Sequence, residues 1–323
     1  MNTLIIKLGA TGDVVRTTPL LGKLSGKITW ITAAKNIQLL EGLEKNPRSL
    51  SWEQRSTVAN ERYDSVINLE DTLESGQFVQ TLKFDQLFGA FLDANGKLVY
   101  TDDSRGWFDL SLISRFGKQE ADRLKLENHR TYQDLIFSGL GFRFDGEKYL
   151  LPEPSKTNLS GDVAISPKAG AVWPMKNWAY YAELKHDLEK RGLVVNVLPE
   201  RATLLEHLGD VRNHRLLVSG DSLPMHFALG TGTRCVTIFN CTSPWEIFDY
   251  GVQRQITSPL LVEFFFKRGM DARATGAVSV QEVFNAVMGQ LTEPLPAEFF
   301  FKRGMDARAA GAVSVEDEEV LAH

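Results

Sequence analysis

Residues 216–239 read LLVSGDSLPMHFALGTGTRCVTIF, and this stretch decides the fold. The stretch predicts one β-α-β unit, because it consists of an apolar run, a polar turn, a short helical pattern, a small-residue turn and a second apolar run. Asp221 and Ser222 are helix-capping residue types, so we expect the helix to begin directly after them. Ligands of open α/β sheets bind at such a turn, where free N–H groups favour a phosphate. His226 lies one helical turn after Ser222 and is expected at the same site.

The same stretch resembles the nucleotide-sugar motif of the family-9 glycosyltransferases, the bacterial heptosyltransferases of lipopolysaccharide assembly. Their pattern is Asp, Ser or Thr, Gly, two residues, His, one residue, Ala, and residues 221–228 match it except at Leu223, which replaces the Gly. A Leu allows a less close approach of phosphate to the backbone, so this departure bears on donor affinity and identity. Taken alone, the stretch is equally compatible with an ordinary capped helix carrying a surface histidine.

Length and composition favour a globular protein of two domains. The chain has 323 residues, 43% hydrophobic and 24% charged, with a net charge of −5, which does not suggest a nucleic-acid partner. Its two cysteines, Cys235 and Cys241, predict neither a disulfide framework nor a metal site and are typical of a cytosolic chain. The N-terminus does not read as a signal peptide, and no apolar run approaches the roughly 20 residues of a membrane span. We therefore expect any membrane contact to be peripheral.

A second informative motif follows the β-prone run 3–8. Residues 9–21 read GATGDVVRTTPLL, a glycine loop that leads into a helix. The P-loop requires Gly-Lys-Ser/Thr where this loop has Gly12-Asp13, and the dinucleotide fingerprint requires a third glycine, so both are excluded. A carboxylate would repel phosphate, so Asp13 is better suited to accept a proton or bind a hydroxyl.

Heptosyltransferases also open with a strand, a Gly-Asp pair and a helix that reaches Thr/Leu-Pro, and residues 12–19 are similar. The resemblance implies that Asp13 is the general base that activates the acceptor hydroxyl, with Gly12 and Arg16 on the acceptor side. Such a base contributes about 10²–10⁴-fold in rate. The alternative is that Asp13 only caps the following helix.

The pattern continues with strands at 28–32 and 63–70, a helical stretch at 37–43, and a hairpin over 84–100 around Asn95-Gly96. By the resemblance, Glu70 or Asp71 lines the acceptor cleft. Residues 104–140 read as mostly helical and carry several basic side chains. These form either a solvated helix face or a rim for an anionic, phosphorylated sugar acceptor.

Residues 146–161 lose periodicity and are interpreted as a domain linker. A new β-α pattern follows with a strand at 163–166, the sequence Lys176-Asn177-Trp178 and an amphipathic helix at 179–191. The heptosyltransferases have Lys, one residue and Trp at this spacing. The resemblance implies that Lys176 holds the donor diphosphate and Trp178 packs the helix, although a Lys in this position is often only surface charge.

The resemblance assigns a ribose-binding role to Glu200, which follows a strand at 193–198. The stretch from 200 to 221 is short, which suggests a trimmed domain without one strand and helix that the family has. A polar loop at 240–245 follows the second strand of the opening unit, and in the family such a loop closes on the donor. The predicted donor-binding residues are Lys176, Glu200, Asp221, Ser222, Leu223, Met225, His226 and Thr242.

The end of the chain repeats itself. Residues 263–280 recur at 298–315 with Thr275 replaced by Ala310. Two copies cannot form a solenoid, and a good helical pattern follows only the first. We interpret the first copy as part of the fold and the second as a duplication.

These observations predict an α/β protein of the GT-B arrangement, with two Rossmann-like domains facing across a cleft. The domains are residues 1–155 for the acceptor and 156–292 for the nucleotide sugar, followed by a tail at 293–323. The resemblance implies inverting transfer of a heptose, from ADP-heptose, to a lipopolysaccharide or other anionic glycan acceptor in the cytoplasm or at the inner membrane surface, without metal or cofactor. Another nucleotide-sugar enzyme of this fold, such as an epimerase, and a non-catalytic nucleotide-sugar binder remain alternatives.

Overall fold

The computed structural model describes residues 1–170 and 172–292. Within these residues the first sheet has six strands in the order β3-β2-β1-β4-β5-β6, and only β6 runs antiparallel to its neighbour. Its strands are β1 Asn2–Ile6, β2 Lys27–Thr32, β3 Arg48–Ser51, β4 Arg62–Asn68, β5 Lys83–Leu92 and β6 Leu98–Tyr100.

The second sheet is built from the C-terminal half of the chain. Its five strands lie in the order β11-β10-β9-β7-β8, and all pairs are parallel. They are β7 Gly161–Ser166, β8 Val195–Val197, β9 His214–Gly220, β10 Arg234–Phe239 and β11 Gln253–Thr257. The predicted fold class is therefore confirmed as two α/β sheets.

Helices cover the sheets. The α-helices of the described residues are α1 Thr11–Thr17, α2 Leu73–Gln80, α3 Arg105–Phe108, α4 Lys118–Glu127, α5 Tyr132–Gly139, α6 Tyr181–Glu189, α7 Leu204–Arg212, α8 Leu223–Thr231, α9 Leu261–Phe264, α10 Ala272–Gly276 and α11 Val280–Thr292. We call residues 1–139 the N-terminal lobe and residues 161–292 the C-terminal lobe. Among the described residues, no helix has the length and apolar character needed to cross a membrane.

The central strands are buried on both faces, because parallel sheets carry helices on both sides. Leu4, Ile5 and Ile6 of β1 are fully buried, as are Leu216 and Leu217 of β9. This burial explains the near-continuous apolar runs that marked these segments as strands.

The β-α-β unit predicted at 216–239 is confirmed as β9, α8 and β10. Ser222 is the N-cap residue of α8, and Gly232 ends the helix with a φ of 69°, a backbone conformation that glycine adopts without strain. The predicted hairpin is also confirmed, since β5 and β6 pair antiparallel across Asn95-Gly96. The helical stretch expected at 37–43 is instead a 3₁₀ helix at Ala34–Leu39. Its buried Asn36 donates a hydrogen bond to the carbonyl of Leu8, which ties this tighter turn to the end of β1.

The two lobes pack against each other through α1 and α8. Val15 of α1 belongs to the same buried apolar cluster as Met225 and Phe227 of α8. Tyr149, from the segment between the lobes, joins that cluster. Residues 140–160 contain no helix or strand, and the predicted boundary at 155/156 falls there; the boundary stays a prediction. The predicted tail at 293–323, with the second repeat copy, lies outside the described residues.

Candidate active site

A cleft opens between the lobes where β1 runs into α1 and β9 runs into α8. It holds a cavity of about 290 Å³. Both lobes contribute to its wall, so the cavity depends on their packing. The residues that line it include Gly12, Asp13, Arg16, Trp107 and Lys125 from the N-terminal lobe, and Lys176, Asp221, Ser222, Leu223, His226, Thr242, Glu246 and Phe266 from the C-terminal lobe.

Asp13 lies in the first turn of α1 and faces this cavity. The N-cap residue of α1 is Ala10, so Asp13 does not cap the helix with its side chain. Its carboxylate lies 3.0 Å from an Arg16 guanidinium nitrogen and 3.8 Å from the Lys7 ammonium. Burial alone would raise the pKa of Asp13, but Arg16 and Lys7 hold it well below its usual range. Asp13 is therefore an ionised carboxylate across the neutral pH range.

Lys7 and Glu70 form a buried ion pair beneath Asp13. Their charged atoms are 2.9 Å apart, and Glu70 also accepts a hydrogen bond of 2.8 Å from the Leu8 N–H. Burial alone would lower the pKa of Lys7, but the charges of Asp13 and Glu70 raise it to about 12. Glu70 lines a second cavity that shares Asp13, Trp107 and Lys125 with the first, and its carboxylate is held by Lys7; its predicted place on the acceptor side stays a prediction.

Arg16 connects Asp13 to the other lobe. Besides Asp13, it contacts Glu246 of the C-terminal lobe at 3.5 Å and lies over the Tyr132 ring at 4.1 Å from its centroid. Glu246 also pairs with Lys125 of α4 at 3.1 Å. Sequence reasoning missed Glu246, although it directly follows the polar loop at 240–245. It also missed Lys7, whose charge within the otherwise apolar run 4–8 was the available signal.

The C-terminal lobe presents the start of α8 to the cavity. Lys176 pairs with Asp221 at 2.8 Å, and both side chains are largely buried. Burial alone would raise the pKa of Asp221, but Lys176 and His226 lower it. The Ser222 hydroxyl makes no capping hydrogen bond and donates instead to the Gly220 carbonyl at 3.3 Å. The Lys176 ammonium, the Ser222 hydroxyl and the start of α8 therefore line the same cavity, and all three favour an anion, while Asp221 balances the charge of Lys176.

His226 lines the cavity together with Ser222, as its spacing predicted, and its ring lies against Gly12 of α1. A Cβ atom on Gly12 would lie only 2.6 Å from its Cδ2 atom, so glycine is required there for the close approach of the lobes. Burial lowers the pKa of His226 to about 4, so the imidazole is neutral at pH 7.

Two predicted donor residues lie away from the cavity. Glu200 is exposed and pairs with Lys168 at 3.0 Å in an adjoining groove of about 900 Å³, which meets the cleft at Ser222 and Leu223. The Met225 side chain is fully buried in the apolar cluster, and its N–H donates to the Ser222 carbonyl. Within residues 1–170 and 172–292, no group of three or more His, Cys, Asp or Glu side chains is arranged to hold a metal ion.

No protein-family model matches the sequence, and no curated protein matches it. Solved structures do match. The Escherichia coli heptosyltransferase WaaC with ADP aligns with 90% of this chain and 100% of its own at a TM-score of 0.60 and 16% identity. The family-9 glycosyl transferase of Veillonella parvula aligns with 90% of this chain and 96% of its own, at a TM-score of 0.62 and 15% sequence identity.

The Escherichia coli ADP-heptose lipopolysaccharide heptosyltransferase II aligns with 90% of this chain and 99% of its own, at a TM-score of 0.59 and 15% sequence identity. Alignments of this length extend over both sheets and the cleft between them. The chain therefore has the two-lobed, GT-B-like fold of the family-9 heptosyltransferases.

Proposed function

We propose that the chain is an inverting glycosyltransferase that moves a heptose from ADP-heptose to a glycan hydroxyl. One observation carries this proposal: a single cavity is lined by an ionised carboxylate from one lobe and an anion-stabilising helix start from the other. An acceptor and an activated donor could meet there. The fold is shared with heptosyltransferases. One of them, WaaC, was solved with ADP, which supports the choice of nucleotide.

In the proposed reaction, the acceptor oxygen attacks the anomeric carbon on the face opposite the diphosphate. The new carbon–oxygen bond forms, the bond to the diphosphate oxygen breaks, and the hydroxyl proton passes to Asp13. Because its pKa is lowered, Asp13 is a weak base toward a free alcohol. Proton transfer therefore follows carbon–oxygen bond formation, when the hydroxyl has become acidic.

The leaving ADP carries the charge that the C-terminal lobe stabilises. The Lys176 ammonium, the Ser222 hydroxyl and the N-terminal end of α8 supply this stabilisation. Leu223 and Pro224 stand at the first positions of α8, and Pro224 has no N–H to donate. The phosphates are thus held more by side chains than by backbone amides.

The nucleoside is expected in the adjoining groove that contains Glu200. This groove is continuous with the cavity through Ser222 and Leu223. Glu200 is largely exposed and tied to an exposed Lys168, so its carboxylate can reorient toward ribose hydroxyls at small cost.

The acceptor would enter past Trp107 and Arg16 of the N-terminal lobe. We expect the enzyme to need no metal and to act in the cytoplasm.

The test combines calorimetry and turnover. Titration with ADP, UDP and GDP should favour ADP, and turnover of ADP-heptose should survive EDTA. Asp13→Asn should lower kcat by about 10²–10⁴-fold while the affinity for ADP stays within about twofold, since a base that contacts only the acceptor adds nothing to nucleotide binding. Asp187→Asn is the matched control on the outer face of α6. Nucleotide binding without turnover in the wild type would identify a non-catalytic binder instead, and preference for UDP would indicate another sugar donor.

A further inference from the structure

Glu246 is a buried carboxylate of the C-terminal lobe whose charged partners belong to the N-terminal lobe. Its two oxygens lie 3.5 Å from Arg16 of α1 and 3.1 Å from Lys125 of α4. Its backbone carbonyl accepts a hydrogen bond of 3.0 Å from the N–H of Tyr132 at the start of α5. One residue thus ties the C-terminal lobe to three helices of the other lobe.

Two neighbours of Glu246 also leave the C-terminal lobe. Trp245 packs edge-to-face against His129 of the N-terminal lobe, with ring centroids 5.1 Å apart, and Phe248 packs at 5.2 Å against Phe144 of the segment between the lobes. Residues 244–248 follow β10 in the C-terminal lobe, and we call them the cross-lobe loop. Trp245 and Phe248 are half-buried at the edge of the lobe contact, whereas Glu246 is the charged member of this loop that lines the cavity.

Arg16 makes the connection to the reacting carboxylate. One guanidinium nitrogen lies 3.0 Å from Asp13, another faces Glu246, and the plane is held over the rings of Tyr132 and Trp107. Arg16 therefore contacts Asp13 of its own lobe and Glu246 of the opposite lobe, so Glu246 contributes to the position in which Arg16 meets Asp13. If the lobes separate, Glu246 leaves, and Arg16 loses one of its two carboxylates.

We propose that Glu246 is a positioning residue that couples lobe closure to the alignment of Asp13 through the chain Glu246–Arg16–Asp13. This inference deepens the proposed function and rests on it. The contact of Arg16 with Glu246 exists only while the C-terminal lobe, which carries the proposed donor site, is in place, whereas Lys7 contacts Asp13 within the N-terminal lobe. The enzyme thereby avoids presenting an aligned base when the cleft is open.

The first test is Glu246→Gln, which keeps the shape and removes the charge, with Glu189→Gln on the exposed face of α6 as matched control. Glu246→Gln should lower kcat about 10- to 100-fold, the scale of a small misplacement of a reacting group, with the KM for ADP-heptose within about twofold. A merely structural role would lower the melting temperature without lowering kcat at an unchanged KM. A kcat within twofold of the wild type would overturn the proposal.

The second test is a double-mutant cycle. Arg16→Gln removes the connecting residue, so adding Glu246→Gln to it should lower kcat by less than twofold further. Independent, multiplicative losses would show that Glu246 does not act through Arg16. If Glu246→Gln does not fold, Glu246→Asp replaces it: the shorter side chain draws the carboxylate back from Arg16, 3.5 Å away in the wild type, so kcat should still fall with KM within about twofold, and the fall should again be lost in the Arg16→Gln background.

A third measurement needs no turnover. Small-angle X-ray scattering in the presence of ADP should give a larger radius of gyration for Glu246→Gln than for the wild type and Glu189→Gln, because the lobes are less firmly closed. An unchanged radius would overturn the role of Glu246 in closure. If the wild type turns over no nucleotide sugar, the proposed function fails, while the scattering result still decides whether Glu246 holds the lobes together.

Discussion

Lys7→Met is the perturbation whose consequence follows most directly from the structure. It leaves Glu70, whose side chain is about 10% exposed, without the cation that lies 2.9 Å from it. Removing one partner of a buried ion pair costs about 3–5 kcal/mol, because the remaining charge stays buried without compensation. The Leu8 N–H still donates to Glu70 at 2.8 Å, so we expect the lower end, about 3 kcal/mol.

Glu70→Gln is predicted to cost less. Lys7 then retains Asp13 at 3.8 Å, and the Gln oxygen can still accept the hydrogen bond from Leu8. We expect a loss of about 1–2 kcal/mol, the scale of one hydrogen bond to a charged group. The double variant Lys7→Met/Glu70→Gln removes both charges and should recover to within about 1 kcal/mol of the wild type, since buried pairs replaced together are often nearly neutral.

Urea unfolding followed by tryptophan fluorescence measures these differences. Trp30 is a suitable reporter, because its indole N–H donates to the Lys7 carbonyl at 3.3 Å and the ring is fully buried. The reasoning is refuted if Lys7→Met costs under about 1 kcal/mol, or if the double variant is as unstable as Lys7→Met alone. The second result would mean that Lys7 stabilises the fold through Asp13 or packing rather than through Glu70.

Four further predictions concern the cleft. Gly12→Ala should destabilise the fold by about 1–3 kcal/mol, since its Cβ would lie 2.6 Å from His226, and the cost should shrink in a His226→Ala background; thermal denaturation of the four proteins measures this. The pKa of His226 is lowered to about 4 by burial, so the unfolded chain, with a pKa of about 6.5, binds the proton first as pH falls. The free energy of unfolding should therefore drop between about pH 6.5 and 4, by on the order of 3 kcal/mol. The drop should be smaller in His226→Gln, and urea unfolding midpoints at pH 7 and 4.5 measure it in both proteins. Lys176→Met should weaken ADP binding about 10- to 100-fold by calorimetry, and equal affinity would remove Lys176 from the donor site. Ser222→Ala should weaken ADP binding but shift unfolding by under about 0.5 kcal/mol, unlike the usual loss of about 1 kcal/mol at a capping serine, because its hydroxyl makes no capping bond.

Local patterns located several parts of this protein correctly. The run 216–239 predicted β9, α8 and β10 because strand and helix periodicities, cap residues and a terminal glycine act over a few neighbouring residues. The same reasoning applied to the loop of Gly12 and Asp13, and both residues line the cavity. At residues 34–43 the local sequence did not determine the type of helix. The structure has a 3₁₀ helix there in place of the expected α-helix, and a hydrogen bond from Asn36 to the Leu8 carbonyl holds it in place.

Other properties required the packed lobes. Met225 and His226 are adjacent on one helix, yet Met225 lies in the apolar cluster and His226 lines the cavity beside Gly12, and only the packing of α1 against α8 assigns these two surroundings. The pairing of Arg16 with Glu246 joins residues far apart in sequence, and nothing in either segment indicates the other. By itself, the sequence indicated the strands of the described residues except β3 and β11, and the helix start after β9, since these depend on short-range backbone preferences; it also placed a carboxylate after the first strand. Only the tertiary structure decided which charges meet in the cleft and how Asp13 is held, because those interactions depend on how the two lobes pack together.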